Sequence, residues 1–213
     1  MILVIMGPQA SGKGTQAELL EEEYDFTHVS VGDVLRREAE KDTERANTIE
    51  EYMERGDLIP EDLNDEIIEE IIPKHEDKII LDGYPRDHHQ IDHLFDLVDV
   101  AAVLYIHISD EEAVERISQR RICTATQETY IADEITEEDR KRCREAGGEI
   151  VHRDDDKPEA VKHRLELFHE ETQPLLEEFE ERGVPLLKID GEQSIEDVHD
   201  EIVEKMKHVG LKP

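Results

Sequence analysis

Residues 7–17 read GPQASGKGTQA, with Gly7 and Gly12 bracketing four residues and Lys13 directly after the second glycine. Between a strand-like run and a helix-like one, this is the spacing of a loop that cradles phosphate. Successive backbone N–H groups face an anion, the helix dipole adds positive potential, and the lysine reaches the outer phosphates of a nucleotide. The common pattern places Ser or Thr directly after the lysine. Here Gly14 stands there and Thr15 comes one place late, so Thr15 lines the phosphate site without having to hold Mg²⁺ in the usual way. The competing reading, a tight turn with a solvated lysine, does not account for the glycine spacing at a strand end.

Other groups suit the same chemistry. In LDGYPRDHHQ (81–90), Asp82 closes an apolar run, at the strand end where open α/β sheets bind ligands, and can hold a Mg²⁺-bound water. Gly83 permits close backbone approach, and Arg86 can grip a phosphate with two parallel hydrogen bonds. In VSVGDVLRRE (29–38), Asp33 either caps the following helix or orients a metal-bound water, and Arg36 lies one turn further on. Arg116, Arg120, Arg121, Arg153 and Arg164 stand out in a chain that otherwise places Glu on its helices. Arg116 and Arg120, four apart, are expected on one helix face, bound either to an anion or to the acidic surface. A cage of cations is what phosphoryl transfer requires, because charge spreads over the transferring oxygens. His89 and His93 are four apart on a helix, but no Glu follows His89 and no third ligand is evident, so His88, His89 and His93 read as solvated helix histidines rather than a metal site.

Five apolar runs must position these groups: 2–6, 26–30, 78–82, 100–108 and 184–189 read as buried strands. Helical periodicity fills 61–72, 159–182 (stopped by Gly183) and 194–209 (Ser194 as N-cap). Strand–helix alternation predicts an α/β fold, a doubly wound five-stranded parallel sheet, and with the phosphate loop after its first strand this is expected to be of P-loop NTPase type. Two stretches fit that plan poorly and read as inserted lobes: 30–59, helical without a strand, and 121–156, polar and carrying both cysteines. The core is then 1–29, 60–120 and 157–213.

The chain has 213 residues with 57 Asp plus Glu against 25 Lys plus Arg, a formal net charge of −32, and 37% hydrophobic residues. The periodic apolar content argues against disorder. The charge repels nucleic acid and anionic lipid, so neither is expected as a partner. The acids are dispersed and only 11 residues are lysine, a pattern expected of a salt-adapted cytoplasm. No apolar run is long enough to span a membrane, and MILVIM lacks the basic flank of a signal peptide. Cys123 and Cys143 do not suggest a secreted scaffold, so a cytoplasmic protein is expected.

Taken together, GKGTQ (12–16), SxGDxLR (30–36), RGxLIP (55–60), LDGYPR with Gln90, RxxxRR (116–121), RDDD (153–156), RL (164–165) and DG (190–191) resemble the adenylate kinase family, in the long-lid form of the nucleoside monophosphate kinases. The resemblance covers nearly the whole chain. It implies reversible transfer of the ATP γ-phosphoryl group to AMP, giving two ADP with Mg²⁺, by an enzyme expected to be monomeric. It implies that Ala10, Ser11, Gly12, Lys13, Gly14 and Thr15 hold the ATP phosphates, that Arg116 stacks on the ATP adenine, and that backbone near Gln193 meets the donor base. The 30–59 lobe would close over AMP, with Val31, Asp57, Leu58, Ile59 and Gly83 lining it. Arg36, Arg86 and Arg164 would bind the AMP phosphate, and Gln90 would read its adenine. Arg120 and Arg153 would clamp phosphates as the 121–156 lid closes, and Asp82 and Asp33 would hold Mg²⁺ through water. Lys13, Arg86, Arg120, Arg153 and Arg164 would be the catalytic cations.

The chain departs from the family pattern in three places. Gln9 and Ala10 replace a Pro-Gly pair. Val31 replaces a frequent Thr, which removes a hydroxyl near the acceptor base. The four positions of the family's zinc lid read Cys123, Thr126, Cys143 and Ala146, so structural zinc is not expected, and the two cysteines either pack or pair. Two alternatives accompany the main reading: another monophosphate kinase or a GTP-using variant, and a nucleotide-binding protein without turnover.

Overall fold

The computed structural model describes residues 1–72, 78–126, 128–152, 156 and 158–212. Its centre is β1 (Ile2–Met6), whose five residues are all buried. Side chains alternate across a strand, so Ile2, Val4 and Met6 enter one apolar cluster and Leu3 and Ile5 another, on the opposite face. A strand buried on both faces belongs inside a parallel sheet covered by helices. β1 indeed pairs in parallel with β3 (Ile79–Asp82) and β4 (Val100–His107), while β2 (Thr27–Ser30) and β8 (Leu186–Asp190) complete the sheet in the order β2-β3-β1-β4-β8. The order reverses direction around β1, which opens a crevice at the carboxyl ends of β1 and β3.

The helices follow from local signals. α1 (Lys13–Tyr24) leaves the loop after β1. α2 (Val31–Ala39) is capped by Ser30, whose hydroxyl accepts from the Asp33 N–H at 3.3 Å. The cap is therefore Ser30, not Asp33, and the Asp33 carboxylate instead pairs with Arg36. α3 (Glu44–Arg55), α4 (Glu61–Ile71), α5 (His88–Leu97) and α6 (Asp110–Gln119) follow. β5 (Arg120–Cys123) lies between β6 (Thr129–Ile131) and β7 (Ile150–Val151) in a small antiparallel sheet, with α7 (Glu137–Glu145) beside it.

Arg120 thus lies beyond the end of α6, as the first residue of β5, and does not share a helix face with Arg116. The expected helix over 159–182 is interrupted. α8 (Pro158–Leu167) runs into a π-helical turn, Phe168–Thr172, and α9 (Leu175–Glu181) starts only after Pro174. Proline has no N–H to donate, and its ring clashes with the carbonyl one turn back. The chain widens instead, with the Gln173 N–H bonded to the Phe168 carbonyl. α10 (Ile195–His208) is capped by Ser194 as expected.

Candidate active site

Gly7 has φ 152°, and a Cβ there would fall 2.2 Å from the Ile106 carbonyl oxygen. Only glycine lets the loop start this close to β4. The loop ends at Gly12, which takes φ 91° and, having no side chain, offers no cap to α1. The first N–H groups of α1 therefore face the crevice without a side-chain acceptor and with no acid in the first turn, which is the arrangement of an anion site. Ala10, in the place of the family glycine, takes φ 58°, a left-handed conformation that costs a residue with a Cβ about 1–2 kcal/mol.

Lys13 folds back over the loop. Its Nζ donates to the carbonyls of Gly7 at 2.9 Å and Pro8 at 2.7 Å. Burial pushes its pKa down to about 8, Asp82 opposes that, and Arg86 and Arg120 add to it. A desolvated ammonium among other cations is an electrostatic debt that an anion would relieve.

The arginines converge from distant segments. Arg116 Nη1 donates to the Ala10 carbonyl at 3.4 Å and Nη2 to the Gly191 carbonyl at 2.9 Å, which ties the phosphate loop to the turn after β8. Arg86 is held by its Nε on the Gly83 carbonyl at 2.8 Å and by its own carbonyl, which accepts from Thr172 Oγ1 at 2.8 Å. The π-helical turn is what delivers Thr172. Arg164 Nη2 donates to the Met53 carbonyl at 2.9 Å, and Arg36 pairs with Asp33. Arg120 is gripped on two prongs by Asp156, Nε to Oδ2 at 2.9 Å and Nη2 to Oδ1 at 2.5 Å, and the Asp156 side chain is wholly buried.

Lys13 and these five arginines line one cavity of about 940 Å³, bounded on one side by the loop and on the other by α2, Asp57–Ile59 and the end of α3. Of the residues expected in the site, Ala10 to Thr15, Val31, Asp33, Arg36, Asp57, Leu58, Ile59, Asp82, Gly83, Arg86, Gln90, Arg116, Arg120, Arg164 and Gln193 all lie on its wall. Arg153 lies outside the described residues. Val31 is buried at the start of α2. Gln193 Nε2 donates to the Asp190 carbonyl and to Glu201.

The Asp82 carboxylate would lie 3.9 Å from a Cβ on Gly14 and is 3.5 Å from His28 Nε2. Burial lowers the His28 pKa, but the bond to Asp82 and the charges of Asp82, Glu18 and Glu21 outweigh it, and the net shift is upward. Among the described residues no three His, Cys, Asp or Glu cluster as a metal cage. One or two carboxylates beside a phosphate loop are nevertheless the donor set that suits Mg²⁺, a hard ion that keeps its waters and binds substrate phosphates. Cys123 and Cys143 form a disulfide between β5 and α7, so neither offers a thiolate.

Several contributors are not evident in the sequence motifs. Asp156 belongs to the RDDD motif, but its partner is 36 residues away. His28 shares a face of β2 with Ser30, a period-2 signal pointing to the same crevice. Buried His199 donates from Nδ1 to Gln16 Oε1 at 3.2 Å, and Gln16 Nε2 donates to the Ile195 carbonyl at 2.9 Å, linking α1 to α10. Of the three histidines of α5, His88 and His89 are exposed, as expected, and His93 is largely covered. His88 pairs with Glu178 and His89 with Asp65, while His93 Nδ1 meets the Tyr84 hydroxyl at 3.0 Å.

A family profile described as adenylate kinase matches residues 5–184. An adenylate kinase of Caldanaerobacter subterraneus subsp. tengcongensis is 35% identical over 209 residues, which is 95% of this chain and 94% of the relative. One of Archaeoglobus fulgidus is 35% identical over 97% of this chain and its own full length. One of Haloarcula marismortui is 36% identical over 94% of both. With the loop, the cationic cleft and these likenesses spanning almost its whole length, the chain belongs to the adenylate kinase family.

Proposed function

We propose that the chain transfers the γ-phosphoryl group of ATP to AMP, reversibly, giving two ADP. The observation that carries this reading is the convergence of Lys13, Arg36, Arg86, Arg116, Arg120 and Arg164 on one cleft in a protein of net charge −32. Cations gathered against the charge of the rest of the molecule need an anionic substrate with several phosphates. The loop and the N-terminus of α1 would hold the donor phosphates, with Lys13 on the transferring group. Arg36, Arg86 and Arg164 would hold the acceptor phosphate opposite, and Gln90 its base. An oxygen of the AMP phosphate attacks the γ-phosphorus in line as the bond from that phosphorus to the β,γ-bridging oxygen breaks, and the bonding electrons leave with ADP. No covalent enzyme intermediate is needed; positioning and charge stabilisation supply the catalysis. Mg²⁺, held through water by Asp82 and Asp33, would neutralise charge on the donor phosphates.

In this reading residues 30–59 form the acceptor lobe and 121–156 the lid, with Arg120 and Arg153 at its edges, and closure keeps water from the γ-phosphate. We also take the enzyme to be a cytoplasmic monomer that binds neither nucleic acid nor membrane. The acidic surface supports the exclusion of both, and no helix among the described residues is long and apolar enough to cross a membrane.

A second reading, a different acceptor, is favoured by Val31 alone, since a buried valine offers the base no hydrogen bond. Initial rates with AMP, UMP, CMP and GMP as acceptors, and with ATP and GTP as donors, separate the two. AMP with ATP is expected to be fastest; negligible turnover of AMP beside fast turnover of another acceptor overturns the first reading.

A further inference from the structure

Gln90 is buried, 4% exposed, and its amide is bonded at both ends. Its Oε1 accepts from the Arg86 backbone N–H at 2.9 Å, and its Nε2 donates to Asp87 Oδ2 at 2.8 Å. A side-chain amide can turn over and exchange donor for acceptor, and what decides its direction is the chemistry of its neighbours. Here both neighbours are unambiguous. A backbone N–H only donates, and an ionised carboxylate only accepts. Both are also fixed. Asp87 is the N-cap of α5, its Oδ1 accepting from the Gln90 N–H at 2.9 Å, and the backbone of Arg86 is anchored at the adjoining peptide, where its carbonyl accepts from Thr172 Oγ1 at 2.8 Å. Turning the Gln90 amide would oppose N–H to N–H at Arg86 and oxygen to carboxylate at Asp87, losing both bonds of a buried amide at once.

We propose that Asp87 is a specificity-determining positioning residue that locks the Gln90 amide, so that the acceptor pocket takes a purine with a 6-amino group and rejects one with a 6-oxo group. The inference rests on the reading of Gln90 as the acceptor-base contact. Oε1 keeps one lone pair and Nε2 one proton for the ligand. Adenine offers an amino donor at position 6 beside a ring-nitrogen acceptor, the complement of that pair. A 6-oxo purine turns a lone pair toward Oε1, and only a reversed amide could accommodate it. An amide free to turn would serve both bases; a locked one serves the first. Selectivity that a hydroxyl at position 31 would have supplied then resides in a carboxylate that does not line the cavity.

The test compares kcat/KM for AMP and for inosine monophosphate, which differs only in the 6-oxo group and its ring proton. Asp87→Ser keeps a helix cap and removes the second carboxylate oxygen, whereas Asp87→Asn keeps the shape and sets a donor against Nε2. Both are expected to lower the AMP preference by about tenfold, mainly through KM for AMP, with far-UV circular dichroism unchanged; a purely structural role would lower both rates together and leave the ratio alone. Gln90→Leu separates the levels. If it abolishes the preference while both Asp87 variants keep it within twofold, the lock is refuted and the base contact stands. If Gln90→Leu also leaves the preference intact, the base contact and the lock fall together. If the unaltered chain does not use AMP, the proposed function falls with them.

Discussion

Reduction of the Cys123–Cys143 bridge should loosen the small antiparallel sheet and α7 and leave the core sheet untouched. The small antiparallel sheet and α7 have little apolar interior of their own. Within the described residues of 121–152, only Ile122, Cys123, Cys143 and Gly148 are buried, and α7 contributes Cys143 alone. The bridge joins residues separated by 20 positions, and closing a loop of that length removes about 3 kcal/mol of chain entropy from the open state. Without it, local opening should be more frequent by about a hundredfold. Amide hydrogen exchange reads this directly. The Thr124 N–H bonded to Glu149, the Cys123 N–H bonded to Glu128 and the Gly148 N–H bonded to Cys143 report on the segment. Their protection should fall by about two orders of magnitude in the reduced protein, and equally in a Cys123→Ala, Cys143→Ala pair, while β1 and β4 exchange as before. Unchanged protection of these three amides on full reduction would refute the argument, as would an equal loss in β1, which would mean that the bridge acts on the whole fold.

Lys13→Met should lower turnover by several orders of magnitude while the far-UV spectrum and melting temperature stay near those of the unaltered chain, because the side chain lies at the cleft surface of the loop rather than in either apolar cluster; unimpaired turnover would remove Lys13 from the mechanism. The Lys13 pKa of about 8 lies below the ordinary lysine value of 10.5, so the folded chain favours the neutral amine. This group should therefore add stability as pH rises from about 8 to 10.5. ATP binding favours the ammonium and should take up about half a proton near pH 8, weakening as pH rises further. Calorimetry in two buffers of different ionisation enthalpy measures the uptake, and buffer-independent heats at pH 8 would contradict it. The net charge of −32 predicts a melting temperature that climbs with KCl as self-repulsion is screened; a melting temperature flat from low salt to molar KCl would show that the acidic surface costs the fold little.

The parts legible in the sequence were those specified by neighbours along the chain. The unbroken apolar run ILVIM marks β1 at its observed bounds because a strand buried on both faces must be apolar throughout. The glycine spacing around Lys13 places the loop because glycine alone allows the approach to Ile106. What escaped depended on partners far along the chain. The apolar pattern of 159–182 is continuous across Pro174, and only the proline hints that the helix breaks; that the break takes the form of a π turn serving Arg86 depends on a segment 86 residues away. Arg120 is four residues from Arg116, but helix periodicity says nothing about where the helix stops. Two cysteines in a polar stretch leave packing and pairing equally open until β5 and α7 are set side by side. His93 reads as a surface residue until Tyr84 is seen beneath it.

The grip of Asp156 on Arg120 has a kinetic meaning. A guanidinium already matched by a buried carboxylate is an occupied receptor, and any phosphate that takes it must displace a resident tethered in place at high effective concentration. Such an exchange gives up affinity in the forward direction and recovers it in the reverse. If Arg120 clamps a phosphate, as proposed, the departing nucleotide need not leave a bare cation behind, because Asp156 stands ready to take the arginine back. In a reaction that runs both ways and ends with two multiply charged products in one cleft, a built-in rival for the arginine keeps the complex from becoming a trap.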